Sequence, residues 1–153
     1  MASSVFLYYS CGDEVQTDDV IDRALSEGKK VALPRVISDS DMVFIEISSA
    51  KDMVSGTYNI PEPEDKGIYT YRRPDLIVIP CVAVDMKGNR IGHGKGYYDR
   101  YLKDMPDVIK ICLAFSTQIV EDFAAEDTDI GMDIIVTEEW IYSTGNRQER
   151  YGR

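Results

Sequence analysis

Cysteine, positive charge and long apolar runs are all scarce in these 153 residues, and each scarcity closes off a class of protein. The three cysteines, Cys11, Cys81 and Cys112, are odd in number and widely spaced, with no Cys-x-x-Cys pair. They fit neither a disulfide framework nor a thiol-held metal site, and read as buried or half-buried thiols in a reducing compartment. Lys plus Arg number 17 against 27 Asp plus Glu, a formal net charge of −10. A general nucleic-acid binder must neutralise phosphates over a broad surface, so this balance argues against one. The apolar run near Leu76–Ile79 is far shorter than a membrane span, and no basic segment leads an apolar stretch at the start. The expectation is a cytoplasmic protein with no membrane or nucleic-acid partner.

What is present centres on residues 85–102. Gly92, Gly94 and Gly96 alternate with larger residues, and then Tyr97, Tyr98, Tyr101 and Leu102 follow at helical spacing. This reads as a glycine loop feeding a helix over 96–104. Glycine permits close backbone approach, and the free N–H groups opening a helix attract an anion. With Arg90, Lys95 and Arg100 nearby, the anion expected is a phosphate. The pattern is not a Walker loop, because Lys95 is followed by Gly96 and Tyr97 rather than by a hydroxyl, and Gly-x-Gly-x-Gly is not the dinucleotide fingerprint. From the residues alone, a phosphate loop and a tight loop that solves a packing problem both remain open.

The flanking chain alternates strand and helix signals. Ser4–Ser10 reads as a strand, Thr17 as the N-cap of a helix to about Glu27 ended by Gly28, and Lys30–Leu33 as a strand stopped by Pro34. Met42–Ile47 is a third strand. Ser48–Arg73 is mostly connection, with one helical turn near Ala50–Val54. Pro74–Pro80 is the clearest central strand, a continuous apolar run bounded by turn signals. Val108–Phe115 is another, followed by a short helix from Ser116 to about Phe123 and a last strand at Ile134–Val136. Glu121–Asp133 is rich in carboxylates and reads as a solvated acidic face. The fold class expected is α/β: three layers, a mainly parallel sheet with helices on both faces. The domain is expected to span 1–141, with 142–153 a polar, frayed tail.

The run Asp85–Leu102, with its Gly-x-Gly-x-Gly-Tyr-Tyr-Asp core at Gly92–Asp99, resembles the signature of the 5-formyltetrahydrofolate cyclo-ligase family, also called 5,10-methenyltetrahydrofolate synthetases. Other stretches support the resemblance from about residue 5 to residue 139. Glu14-Val15-Gln16-Thr17 is similar to the family's Glu-x-x-Thr, and Tyr58–Pro63 to its Gly-Ile-x-Glu-Pro element. Ala114-Phe115-Ser116-Thr117-Gln118 is similar to its Ala-Phe-x-x-Gln, and Glu126–Asp133 with Thr137-Glu138 to its closing acidic run.

The resemblance implies an architecture like that of sugar-phosphate isomerases and CoA-transferases, whose catalytic residues show no counterpart here. It implies ATP and Mg²⁺ as cofactors and 5-formyltetrahydrofolate, with or without a polyglutamate tail, as substrate. ATP would phosphorylate the formyl oxygen, N10 would attack the activated carbon, and loss of phosphate would leave the methenyl product. The implied ATP contacts are Arg90, Ile91, Gly92, His93, Gly94, Lys95, Gly96, Tyr97 and Tyr98, with Arg90 and Lys95 the catalytic cations. Tyr9, Glu14, Tyr58 and Gln118 are the implied folate contacts, and Asp99 and Asp129 the implied metal ligands. A carboxylate such as Glu14 suits a pterin because it accepts two parallel N–H bonds. His93, the only histidine, falls at a variable position and is expected to contact phosphate or solvent. One departure stands out: family members carry a basic N-terminal helix that reaches the ATP phosphates, whereas Met1-Ala2-Ser3 leads almost directly into the first strand. A non-catalytic or weakly active folate or nucleotide binder is the alternative to the enzyme.

Overall fold

Short runs of aliphatic and β-branched residues build the sheet, and the polar stretches between them build its carboxyl edge. The computed structural model describes residues 1–67, 70, 73–126 and 129–146. Ser4–Phe6 forms β1, shorter than the run to Ser10 suggested. Leu7 N–H still donates to Ala32 O at 3.0 Å, and the chain then leaves the sheet. Helix α1 (Asp18–Ser26) carries Asp18 and Asp19 in its first turn and Arg23 in its last, each sign suited to the helix dipole. Thr17 is its N-cap residue but makes no side-chain cap. Its buried hydroxyl instead donates to Tyr8 O at 2.7 Å and accepts Ser10 N–H at 3.1 Å. Gly28, with φ of +74°, ends the helix as expected.

Strand β2 (Lys30–Val36) runs straight through Pro34, which does not stop it. Because Ala32 O faces β1, every second residue of β2 faces that side, and Pro34 falls beyond Phe6 where β1 has already ended. Its missing N–H therefore removes no ladder bond. Strand β3 (Met42–Ile47) returns antiparallel. The helical turn expected near Ala50–Val54 is a turn closed by Asp52 N–H to Ser49 O at 3.1 Å, after which β4 (Met53–Ser55) pairs antiparallel with β5 (Pro61–Pro63). Strand β6 (Leu76–Ile79) follows, then the small hairpin of β7 (Ala83–Val84) and β8 (Arg90–Ile91), and then helix α2 (Tyr97–Leu102).

Strand β9 (Ile109–Leu113) leads to a single 3-10 turn at Ser116–Gln118. The helix expected to reach Phe123 goes no further, because Ile119 bridges to Val84 and Val120 N–H donates to Val84 O at 3.0 Å. Strand β10 (Ile134–Val136) is followed by β11 (Ile141–Ser143), whose last two residues fall in the stretch expected to fray from Tyr142. Thr144 Oγ1 donates to Met132 O at 2.6 Å, and Asn146 Nδ2 to Lys87 O at 2.9 Å, fixing the chain as far as Asn146. The rest of the expected tail, 147–153, lies outside the described residues.

The seven-stranded sheet has the order β11-β10-β9-β6-β1-β2-β3. Its five inner strands are parallel and both margins antiparallel. Side chains alternate between two cores. Phe6, Ala32, Ile77, Ile79, Cys112 and Ile135 pack with Leu102 of α2, while Val5, Val31, Leu33 and Val78 pack with Ile21 and Ala24 of α1. The protein is thus a mixed α/β fold whose helices flank a mostly parallel sheet. From β1 the chain steps outward through β2 to β3, and from β6 it steps the other way through β9 to β10. A crevice opens outside the carboxyl ends of two parallel strands where such a reversal occurs, so the topology places a ligand site beyond β1 and β6.

Candidate active site

The loop after β1 supplies one wall. Tyr8 O–H donates to Val15 O at 2.8 Å and Thr17 binds the backbone at Tyr8 and Ser10, so Cys11–Glu14 is held as a short closed turn. Within it Glu14 Oε1 accepts Cys11 N–H at 2.8 Å. The Glu14 charge is felt across the crevice. Burial first, and Glu14 second, push the Tyr8 phenol up. Tyr98 is also pushed up, first by loss of solvent and further by Glu14, while Arg90 opposes the shift. The Cys81 thiol is held below its usual range, mainly because Cys112 hydrogen-bonds to it and also because Arg90 lies close; burial and Glu14 oppose this. Glu14, Tyr8, Tyr98, Cys81 and Arg90 therefore share one electrostatic neighbourhood. Tyr9, the other tyrosine of this loop, is half-buried against the core on the α1 side.

The loops after β6 and β9 supply the floor. Gln118 Nε2 donates to Cys81 O at 3.0 Å and to Val82 O at 3.2 Å, while its Oε1 accepts Phe115 N–H at 2.8 Å. This side chain latches two strand ends together. Arg90 donates from NH1 to Pro80 O at 3.0 Å and lies 5.4 Å from the centre of the Tyr98 ring, a cation–π distance. A Cβ on Gly92 would come within 2.6 Å of that NH1, so a side chain there would push the guanidinium from its present place. Above it, His93 and Lys95 are exposed, and among the described residues neither side chain has a hydrogen-bond or ion-pair partner. Helix α2 has only six residues, so a phosphate here would depend on open loop amides and Lys95 more than on a long helix dipole.

The candidate metal ligands lie on adjoining segments. Asp99 Oδ1 accepts Ile130 N–H at 2.9 Å, drawing α2 to the residue after Asp129, and Asp129 Oδ2 accepts Glu126 N–H at 2.9 Å. No third His, Cys, Asp or Glu completes a cluster among the described residues. Each carboxylate keeps one oxygen outside these bonds, a hard donor set suited to Mg²⁺, which retains several waters.

The β4–β5 ribbon carries the remaining candidate. Tyr58 and Asn59 both have left-handed φ, 59° and 58°, and Tyr58 is 66% exposed at the tip. A bulky residue held there costs on the order of 1–3 kcal/mol, a strain that clusters at ligand sites.

Three further residues hold the surrounding loops, although the sequence reading gave none of them a site role. Thr17 looked like an ordinary cap. Asp85, fully buried, accepts N–H bonds from Lys87 (3.0 Å), Asn89 (2.9 Å) and Phe123 (3.4 Å) and one from Asn89 Nδ2 (3.0 Å). In the sequence it opens the Asp85–Leu102 run, three residues before a turn glycine, with no role assigned to it. Glu62, 5% exposed, accepts Val36 N–H through Oε1 at 3.2 Å, while Oε2 has no hydrogen bond and lies 3.8 Å from Arg35.

The Glu14 turn beyond β1 and the open glycine loop beyond β6 and its hairpin both lie at the reversal of the parallel sheet, the place where open α/β proteins as a class bind their ligands. Comparison with known proteins narrows the class. Residues 1–138 match the 5-formyltetrahydrofolate cyclo-ligase family. A probable 5-formyltetrahydrofolate cyclo-ligase of Caenorhabditis elegans is 37% identical over 146 residues, 86% of this chain and 71% of its own. The 5-formyltetrahydrofolate cyclo-ligase of Escherichia coli is 28% identical over 148 residues, 93% of this chain and 81% of its own. The NMR structure of Aquifex aeolicus 5,10-methenyltetrahydrofolate synthetase superposes with a TM-score of 0.80 at 31% identity, covering 99% of this chain and 74% of that one. The chain belongs to the 5-formyltetrahydrofolate cyclo-ligase family.

Proposed function

We propose that this chain converts 5-formyltetrahydrofolate to 5,10-methenyltetrahydrofolate at the expense of ATP, releasing ADP and phosphate. The observation that carries the reading is the meeting of two unlike groups at one sheet edge: the Glu14 carboxylate beyond β1, and, beyond β6 and its hairpin, the open glycine loop with Lys95, unpaired among the described residues. A carboxylate accepts the N–H edge of a pterin, and an ammonium beside free amides meets the phosphates. Glu14 would anchor the folate, Tyr58 would stack on its flat ring, and Tyr9 would line its flank. Gln118, latched to Cys81 and Val82, would hold the floor on which the formyl group rests. As phosphoryl charge shifts toward the formyl oxygen, Lys95 and the amides of residues 92–97 would stabilise it, with Arg90 fixing the loop from below. Asp99 and Asp129 would hold Mg²⁺, which when bound neutralises the phosphate oxygens. N10 then displaces phosphate from the activated carbon, and no protein nucleophile is needed. The scattered thiols suit the reducing cytoplasm proposed for this activity.

The test is spectroscopic detection of the methenyl product from 5-formyltetrahydrofolate and MgATP with purified protein. Product that requires both ATP and Mg²⁺, with one ADP released per turnover, supports the assignment. Binding of both ligands without product would replace the enzyme by a folate and nucleotide binder.

A further inference from the structure

Arg100 sits beside the glycine loop and reads, from sequence, as one more cation for a phosphate. The folded chain engages it elsewhere. Its Nε donates to Ser40 O at 2.5 Å and its NH2 to Lys95 O at 2.6 Å, while its guanidinium lies 5.3 Å from the centre of the Tyr97 ring. A Cβ on Gly96 would come within 2.7 Å of Arg100 NH1, so the glycine makes room for the guanidinium. Tyr97 adds a parallel tie, its hydroxyl donating to Ser38 O at 3.2 Å.

The turn that receives these bonds is closed on itself. Ile37 N–H donates to Asp41 O at 3.0 Å, and the Ser38 and Ser40 hydroxyls both donate to Asp41 Oδ2 at 3.0 Å. The glycine loop has no such internal closure. Among the described residues, the hydrogen bonds to Gly92–Gly96 come from Arg100 alone: its side chain to Lys95 O, and its own N–H to Gly96 O at 3.1 Å.

We propose that Arg100 is a positioning residue for the phosphate loop: it bolts the Lys95 backbone to the Ser38–Asp41 turn, setting where the Lys95 ammonium and the open amides point, without itself touching phosphate. The inference rests on the nucleotide reading of this loop given above. Two carbonyls on different segments are bridged by one rigid, planar fork, a geometry that a single lysine ammonium does not reproduce.

The experiment compares wild type with Arg100→Lys and Arg100→Ala, using two independent readouts. The first is ¹⁵N relaxation of the His93, Gly94 and Lys95 amides in the ligand-free protein, which reports loop motion whether or not the protein is an enzyme. Both variants are expected to loosen these amides, with a clear fall in heteronuclear NOE. The second is the kinetic split. Both variants are expected to raise KM for MgATP about ten-fold, the scale on which misplaced groups lose efficiency. Affinity for 5-formyltetrahydrofolate, measured without nucleotide, should stay within about two-fold of wild type, because the Glu14 wall is untouched. Wild-type loop motion in Arg100→Ala, or full rescue of KM by Arg100→Lys, would overturn the proposal. If the wild type makes no methenyl product, MgATP titration replaces KM: a loosened loop with weakened MgATP binding then upholds the positioning role while the catalytic reading fails, and an unchanged loop rejects the role.

Discussion

Two loops on either side of β8, Asp85–Asn89 and Gly92–Gly96, are built on opposite plans. In the first, nearly every polar group has a partner. Asp85 collects four donors, Gly88 N–H returns to Asp85 O at 3.0 Å, Gly88 O accepts Met132 N–H at 2.9 Å, and Lys87 O accepts Asn146 Nδ2 at 2.9 Å. In the second, among the described residues, only Arg100 binds the loop. Buried N–H groups need partners within the protein whereas exposed ones are met by water, so the saturated turn is part of the scaffold and the open loop leaves its amides to solvent. Two residues of β8 separate the two plans.

Glycine substitutions break the comparison most severely. Gly88 and Gly94 have nearly the same φ, +86° and +85°, but a Cβ on Gly88 would come within 2.4 Å of the Met132 carbonyl, while one on Gly94 meets nothing within 4 Å. Gly88→Ala is expected to lower stability by about 4 kcal/mol, the sum of left-handed strain and a clash with backbone. Urea unfolding checks it, and a loss no larger than that of Gly94→Ala would erase the distinction. Asp85→Ala comes next. It strands buried N–H groups and should cost about 3 kcal/mol while leaving ¹⁵N relaxation at Gly94 unchanged.

Glu14→Gln sharpens the contrast from the folate side. Glutamine can still accept Cys11 N–H through its oxygen but presents a donor where the second carboxylate oxygen stood. Affinity for 5-formyltetrahydrofolate should fall about ten-fold with stability unaltered. Calorimetric titration showing no loss in a folded variant would remove Glu14 from the site. Gly94→Ala should cost only about 1 kcal/mol, from φ alone.

The smallest effect lies outside both segments. The N–H groups of Ser3 and Ser4 and the Ser3 hydroxyl hold the Asp75 carboxyl below its usual range. A carboxyl lowered by folding stabilises the native state above its unfolded pKa, and that contribution is lost as pH falls through the lower, folded value. Asp75→Asn should therefore weaken the protein slightly at neutral pH, and its stability deficit should vanish as pH falls through the lowered, folded value of the Asp75 carboxyl.

The central strand, helix α1 and the glycine loop were legible because each rests on a local pattern: the Leu76–Ile79 run, the apolar face around Ile21 and Ala24, and the spacing of Gly92, Gly94 and Gly96. What stayed hidden depends on where partners fall. Pro34 breaks no ladder only because β1 ends at Phe6. The three-residue strands β4, β5 and β11 are too short for alternation to register. In the candidate site, the sequence set Arg90, Lys95 and Arg100 near one phosphate; in the fold both guanidiniums bond carbonyls and lie over tyrosine rings, while among the described residues the Lys95 ammonium has no partner. Sequence shows that a charge is near; only the fold shows whether it is already engaged.

Strand β1 lies between β2 and β6, and its ties to the second neighbour, such as Ser3 N–H to Asp75 Oδ2, cross 72 residues of chain. During synthesis β2 arrives soon after β1, whereas β6 is delivered later, on the order of several seconds at about 5–20 residues per second. For that interval the inner edge of Val5 and Phe6 is an unpaired, apolar strand margin of the kind that templates aggregation or recruits a chaperone. The strand whose carboxyl end carries the Glu14 wall is thus the one most exposed on the nascent chain.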